Sequence, residues 1–383
     1  MDVFRGMTIA LMILVNNPGS WSYVYPPMRH AAWHGWTPTD MVFPFFLFIV
    51  GVAISLSFNK YIAAGTGNTD LMKKIIRRTL IIFAIGLFLN GWPFGLPMSA
   101  KDVSDFEWLD IFRRFETIRI LGVLQRIALA YFVAATIAVY LPTWQKRWLA
   151  IGGITLVYEL LMRLPLIPGW GAGSFALEDN FARWFDILVL GDAHMYRVNS
   201  LPFDPEGLIS TLPAIITVLA GVFTGDLLRT ETTHKIKLQK MTFIGAGTLL
   251  AGILLDFAEP VNKQLWTISY TILMAGWAML VLAFSSWLID SRGWRLWLKP
   301  FIVLGSNPIV AFAGSSFLAK TMYLVRITDA TGSEVTLKTI VYRDFCVPLA
   351  GDMNGSLLHA VLYLVLWIGI TWYMAYKKVY VKI

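Results

Sequence analysis

Ten runs of nearly pure hydrocarbon side chains divide this 383-residue chain, and no other feature constrains its fold as tightly. They fall at about 3–17, 40–58, 79–97, 120–141, 149–164, 208–228, 241–257, 265–289, 300–320 and 357–376, the fifth and seventh being short. Most approach the ~20 residues with which a helix crosses a bilayer. Backbone polar groups in hydrocarbon must be satisfied within the segment, and these runs are too long and continuous for barrel strands, so each is expected to be a helix. The expected fold is all-α: a polytopic transmembrane bundle of about ten helices forming one unit over residues 1–383. Composition agrees, since 57% hydrophobic and 15% charged residues leave too little polar surface for a water-soluble protein of this length.

Basic residues set the orientation. With a cytoplasmic N-terminus, the inner connections (59–78, 142–148, 229–240, 290–299 and 377–383) carry 17 Lys and Arg in 56 residues, and the outer ones 11 in about 130. Sixteen of the 24 acidic residues fall outside, which concentrates the net charge of +8 on the inner face and puts both termini in the cytoplasm. Topology accounts for the excess; attraction of an anionic cytoplasmic ligand is a second reading, and nucleic acid is not implied. The single cysteine, Cys346, excludes an intrachain disulfide and a thiolate metal cluster. The first run ends in Asn16-Asn17-Pro18 with no small-residue cleavage site, which argues against a cleaved signal peptide. The outer segment 16–39 gathers His, Trp and Pro. Segments 165–207 and 321–356, the longest outer ones, have the composition of a lid, an acceptor-binding surface or plain connectors.

Ionisable groups at membrane depth need a partner or a wet cavity, so each one is a candidate. Asn16 and Asn17 end a first helix of about 15 residues, ~22 Å at 1.5 Å per residue, which falls short of a ~30 Å hydrocarbon core. The segment after it is expected to dip back into the membrane. Asp40 opens the second helix, where the dipole favours a carboxylate and Thr37 or Thr39 can help cap it; as a cap alone it needs no function. His30 and His34 beside Asp40 make a base and its orienter, as acyl transfer requires, or simply solvated loop histidines. No metal site is expected, because Gly35 and Pro38 break the regular helix that an i, i+4 histidine pair needs. Arg126, next to Gln125 in the fourth helix, snorkels outward, pairs with a neighbour or faces an anion. Glu159 and Arg163 are spaced to pair with each other. Ser306-Asn307-Pro308 interrupts the ninth helix, either exposing backbone groups to a ligand or serving as a packing kink.

The opening DVFRGMTIALMILVNNPG (2–19) and RHAAWHGWTPTDMVFPFFLFIVGVAIS (29–55) resemble the transmembrane heparan-α-glucosaminide N-acetyltransferase family. GVLQRIALAYFVA, FDPEGLISTLPAIITVLAGVFTGDLL, WTISY, LGSNPIVAF and YKKVYVKI come in the same order along nearly the whole chain. The resemblance implies acetyl-CoA bound from the cytosol and acetyl delivered to an amino sugar or glycan on the far side, since CoA's phosphates cannot cross hydrocarbon. It puts the family's active-site histidine on His30, its acid on Asp40 and its asparagine on Asn16, and leaves His34 without a counterpart. DVFRG also resembles the start of the membrane acyltransferase-3 group, which implies that Arg5 contacts CoA phosphate; Gln125, Arg126, Ser306 and Asn307 lie in matching motifs and are further candidates for the CoA cavity. Animal members carry an N-terminal luminal domain and an additional leading helix before the shared motif at which this chain begins. Acetyl transfer is therefore better supported than heparan as acceptor. The same resemblance implies a homodimer, and ten helices without a sorting domain suggest a bacterial inner membrane with a periplasmic acceptor.

In the expected chemistry His30, held by Asp40, takes the proton of the attacking amine while Asn16 donates to the developing oxyanion. An acetyl-histidine intermediate is the competing route. The main rival function is a sugar transporter or flippase, but that class tends to show paired broken helices in two related halves, and here there is one break and no halves. A membrane receptor or scaffold leaves the Asn/His/Asp set unexplained.

Overall fold

Each apolar run falls on a helix in the computed structural model, which describes residues 1–63, 67–99, 106–164, 173–295, 297–329 and 332–381. The helices are α1 (Asp2–Asn16), α2 (Val42–Ala63), α3 (Asn68–Gly91), α4 (Leu109–Phe115), α5 (Val123–Tyr140), α6 (Trp144–Arg163) and α7 (Phe181–Leu190). They continue with α8 (Leu208–Arg229), α9 (His234–Leu255), α10 (Ile268–Ser286), α11 (Lys299–Ser306), α12 (Pro308–Leu324), α13 (Leu337–Ile340) and α14 (Val347–Tyr376). Two small antiparallel hairpins complete the fold: β1 (Arg197–Val198) with β2 (Leu201–Pro202), and β3 (Arg326–Thr328) with β4 (Glu334–Thr336).

Among the described residues, six helical stretches are long and apolar enough to cross a membrane: Pro38–Phe58, Val123–Tyr140, Leu208–Arg229, His234–Leu255, Ile268–Ser291 and Leu337–Tyr376. A seventh is added if α11 and α12, bent by 86° across Asn307, count as one span. The other expected spans are helical but differ in kind. Helix α1 has only 15 residues. Helix α3 carries Asp70, Lys73, Lys74, Arg77 and Arg78, and α6 carries Lys146, Arg147, Glu159 and Arg163. The outer segment 321–356 is also less of a loop than its composition suggests, because α13, a π-helical turn at Val341–Cys346 and the start of α14 occupy its second half.

In a lipid-like surround, helices associate through close packing rather than hydrophobic expulsion, and small residues permit the approach. Gly51 of α2 and Gly221 of α8 sit in one crossing: a Cβ on Gly51 would lie 1.8 Å from Val218 O, and one on Gly221 2.0 Å from Phe48 O. Gly6 of α1 and Gly305 of α11 interlock in the same way, against Phe301 O and Asp2 O. Ala128, Ala130, Ala134 and Ala135 give α5 a small-residue stripe that is fully buried. The largest core lies between α2, α3, α5, α8 and α10, around Leu47, Ile54, Ile75, Leu219 and Met274. A second, around Ile9, Ile13, Phe46 and Trp367, joins α1, α2 and α14. This packing gathers the starts of α2 and α5 and the segments leading into α8 and α10 around a shared cavity.

Candidate active site

That cavity, of about 500 Å³, is lined by His30, Trp33, Asp40, Arg119, Arg126, Arg197, Glu206, Lys263 and Trp266, with the β1–β2 hairpin as one wall. Its walls come from the starts of α2 and α5 and from the segments that lead into α8 and α10.

The Asp40 carboxylate is 1% exposed and fully engaged. Its Oδ1 stands 2.6 Å from His30 Nδ1 and 3.1 Å from Lys263 Nζ. Its Oδ2 accepts from Ala31 N–H and Thr37 N–H at 3.0 Å each, with Thr37 Oγ1 3.1 Å away. The Thr37 bond is half of a capping box on the 3-10 turn Pro38–Met41 that leads into α2. From α10, the Tyr270 hydroxyl donates to Asp40 O at 2.6 Å. The cap role expected of Asp40 and its contact with His30 thus coexist, one on each oxygen. The segment carrying His30 has little regular structure of its own. Thr37 Oγ1 donating to Arg29 O, Trp33 Nε1 donating to Phe175 O and Gly35 N–H donating to Val261 O hold it in place. Gly35 adopts φ +90°, a conformation glycine enters without the usual Cβ penalty.

Opposite the imidazole lies a buried ionic network. Arg119 binds Asp204 bidentately, at 2.9 and 2.6 Å, and also pairs with Glu206. Burial pulls the Arg119 guanidinium down, but Glu206 and Asp204 outweigh it and hold it above its ordinary value. Asp186 of α7 accepts from Leu208 N–H at 2.9 Å, at the start of α8. Burial pushes its carboxyl up to about 7, with Asp204 adding to the rise and the Leu208 bond and Arg126 opposing it. Arg126, 1% exposed, bonds Ser210 Oγ and Gly207 O and stacks 5.1 Å from the Trp266 ring centre, while its Nε has no hydrogen-bond partner among the described residues. Of the three roles open to Arg126 from its sequence position, the structure has it buried and paired, with its cationic edge against the cavity.

The remaining candidates are dispersed. Asn16 is not brought to His30: it is exposed at the end of α1 and lines a separate cavity of about 150 Å³ with Lys338 and His359. The irregular stretch between α1 and α2, which includes a 3-10 turn at Pro26–Met28, sends the two residues to different pockets. Arg5 donates to Gly305 O at 2.9 Å, and Ser306 Oγ to Val303 O at 2.8 Å. Asn307, fully buried, gives both side-chain atoms to the C-terminal tail, Nδ2 to Val379 O at 3.1 Å and Oδ1 from Val381 N–H at 2.9 Å. The break at Asn307 is thus filled by this chain itself. Gln125 donates to Ile120 O at 3.1 Å. The residues expected to hold CoA therefore divide into an Arg5/Ser306/Asn307 group and a Gln125/Arg126 group. His34 lies off the cavity, 3.4 Å from Asn262, with burial lowering its basicity and Asp256 opposing. Glu159 and Arg163 pair with each other.

A second, basic cavity of about 320 Å³ lies between the C-terminal part of α2, α3 and the middle of α5, lined by Tyr61, Lys74, Arg77, Arg78 and Tyr131. Arg78 lies 4.8 Å from the Tyr131 ring centre and Lys74 3.8 Å from that of Tyr61, and Arg78 Nε is buried without a hydrogen-bond partner among the described residues. Sequence reasoning counted these cations only as topology signals. Lys263 and Arg119, which it also missed, lie in segments expected to be outer, where the topology argument gives no reason for a cation.

A family model described as "Heparan-alpha-glucosaminide N-acetyltransferase, catalytic" matches residues 1–254. Over 364 aligned positions, 82% of this chain, the sequence is 29% identical to the Homo sapiens protein named Heparan-alpha-glucosaminide N-acetyltransferase. Over 367 positions, 83% of this chain, it is 28% identical to the Mus musculus protein of the same name. Those alignments take in 52% and 53% of the two proteins, so the chain spans about half the length of the curated relatives it matches.

Proposed function

The chain belongs to the heparan-alpha-glucosaminide N-acetyltransferase catalytic family, and we propose on that premise that it is a membrane acetyltransferase which moves acetyl from cytosolic acetyl-CoA to an amino sugar on the far side. The observation that carries this reading is the 2.6 Å contact between His30 and a buried, fully engaged Asp40 in a cavity walled by charged and aromatic residues. The amine, as free base, attacks the thioester carbonyl. A C–N bond forms, the C–S bond breaks, the CoA thiolate leaves, and His30 Nε2 takes the proton that the nitrogen sheds. General-base help of this kind is worth ~10²- to 10⁴-fold. Because Asn16 lines another cavity, no oxyanion role is assigned to it.

The donor's phosphates fit the second cavity, where Lys74, Arg77 and Arg78 supply charge and the buried Arg78 Nε a directed donor. Helix α5 lines both cavities, at Arg126 and at Tyr131. The topology that goes with this reading has ten spans in one transmembrane unit with both termini cytoplasmic. It is supported by the concentration of Lys and Arg in alternate connections and by the shared cavity at which α2 and α5 begin. Placement in a bacterial inner membrane, as a homodimer with a periplasmic acceptor, is supported by the resemblance alone.

Purified protein given radiolabelled acetyl-CoA and glucosamine tests the function. Labelled N-acetyl product with release of free CoA, lost in His30→Ala, is the expected result. Full activity of His30→Ala removes the histidine mechanism. Neither transfer nor thermal stabilisation by CoA returns the transporter reading.

A further inference from the structure

Lys263 belongs to the turn between α9 and α10, and that turn is fixed from several directions. Asn262 Oδ1 accepts from Leu265 N–H at 2.9 Å, Asn262 N–H donates to Thr267 Oγ1 at 3.0 Å, and Val261 N–H donates to Asp256 Oδ1 at 2.7 Å. Gly35 N–H reaches Val261 O at 2.7 Å, which ties the turn to the same segment that carries His30. A lysine on such a base, with its side chain 22% exposed, has a defined place. Its Nζ lies 3.0 Å from His30 Nδ1 and 3.1 Å from Asp40 Oδ1. One carboxylate oxygen therefore serves both a ring nitrogen and an ammonium.

A neutral imidazole has one ring hydrogen to place. The shorter contact, 2.6 Å to Asp40, assigns it to Nδ1 and leaves Nε2 bare, the arrangement a base requires. Charging the ring keeps that bond but sets a second positive group 3.0 Å from the ammonium. Asp40 alone would favour the charged ring; Lys263 divides that support and adds repulsion. We propose that Lys263 is a positioning residue of the His30–Asp40 pair, whose ammonium keeps the imidazole uncharged, and so able to accept a proton, before the acceptor arrives. The inference rests on the acetyl-transfer reading above. The other charged groups facing the cavity have partners of their own: Arg119 has Asp204 and Glu206, Arg126 has Ser210 and Gly207, and Arg197 stands 3.9 Å from Asp192. Among the described residues, none of these is hydrogen-bonded or ion-paired to His30 or Asp40.

The test compares Lys263→Met and Lys263→Arg with the parent chain in detergent. Modification of His30 by diethyl pyrocarbonate is followed across pH by mass spectrometry of its peptide, and the pH profile of kcat/KM is measured beside it. Lys263→Met is expected to move the midpoint of modification up by about one pH unit, the size of shift a neighbouring charge produces. The acid limb of kcat/KM should move with it. Lys263→Arg, which keeps the charge, should restore the parent midpoint. An unmoved midpoint in Lys263→Met, or a lowered plateau with no shift, overturns the inference; if that variant aggregates, Lys263→Gln makes the same comparison. Modification needs neither acetyl donor nor acceptor. A shifted midpoint in a protein that transfers no acetyl would therefore refute the proposed function and leave the Lys263 inference standing, and active protein with an unmoved midpoint would do the reverse.

Discussion

Replacing Asp40 by asparagine exchanges one oxygen for an NH₂ group, and the surrounding donors decide which way the new amide turns. The carboxylate has donors on both oxygens: Ala31 N–H and Thr37 N–H on Oδ2, Lys263 Nζ and His30 Nδ1 on Oδ1. An amide has one acceptor end, and the two backbone N–H groups, which cannot turn away, claim it. The NH₂ then takes the place of Oδ1 and donates to His30 Nδ1, which must be bare to receive it. The ring hydrogen moves to Nε2, and the base is lost although the ring has not moved. Lys263, part-exposed, can turn to solvent, so the stability cost stays well below the ~3–5 kcal/mol of an uncompensated buried charge. The rate cost does not. The same tautomer error in a serine protease costs ~10⁴-fold, which corresponds to about 5.4 kcal/mol of barrier. The expected result for Asp40→Asn is kcat/KM within about tenfold of His30→Ala, from a protein that elutes and melts nearly as the parent does. More than a tenth of parental activity would falsify this account, and loss of activity together with aggregation would reduce Asp40 to a helix cap.

Packing and burial give two further expectations. A methyl group on Gly221 would stand 2.0 Å from Phe48 O, where ordinary contact begins at 3.4 Å, so Gly221→Ala must push α2 from α8 by up to 1.4 Å. Overpacking of this sort costs ~1–3 kcal/mol, and a ~1 Å displacement of the helix that holds Asp40 can cost ~10²-fold in rate. Gly247→Ala, with none of the described residues within 4 Å of the added methyl, is the control expected to be silent in both thermal unfolding and activity. The Asp186 carboxyl, raised from 3.8 to about 7 in the fold, contributes no penalty while it is protonated in folded and unfolded chains alike. As pH rises from about 4 to about 7 the unfolded chain ionises first, so the fold loses stability across that window, by about 4 kcal/mol at most. Asp186→Asn should flatten this difference, and equal melting-temperature changes between pH 5 and pH 8 in parent and variant would exclude it.

How much of this was legible in the sequence depends on the range of each interaction. Helix positions were, because run length is local: α8 at Leu208–Arg229 lies where its apolar run does. Spans that mix charge with hydrocarbon were harder, as α3 shows by beginning at Asn68, ahead of its run, and carrying four cations through its first turns. Asp40 and His30 stood close in sequence and in the resemblance. Lys263, 223 residues from Asp40, and Arg119, 85 from Asp204, gave no local sign of their partners. Asn16 stood out at the end of a short first helix and in the resemblance, and the irregular stretch between α1 and α2 has it lining a different cavity from His30. The break at Asn307 was visible as a proline signal, but its occupant, the tail 72 to 74 residues on, was not.

The two cavities touch α5 only five residues apart, at Arg126 and Tyr131, which is ~7.5 Å along a helix axis. On the proposed reading, the donor and acceptor cavities then meet this one helix about a turn and a half apart. A flexible thioester arm can bridge such a distance by reach, with both halves of the bundle standing still. A carrier that must ship a whole sugar across the bilayer cannot. Turnover by this protein should accordingly survive cross-links that pin α2 to α8, the restraint that would stop a rocking machine.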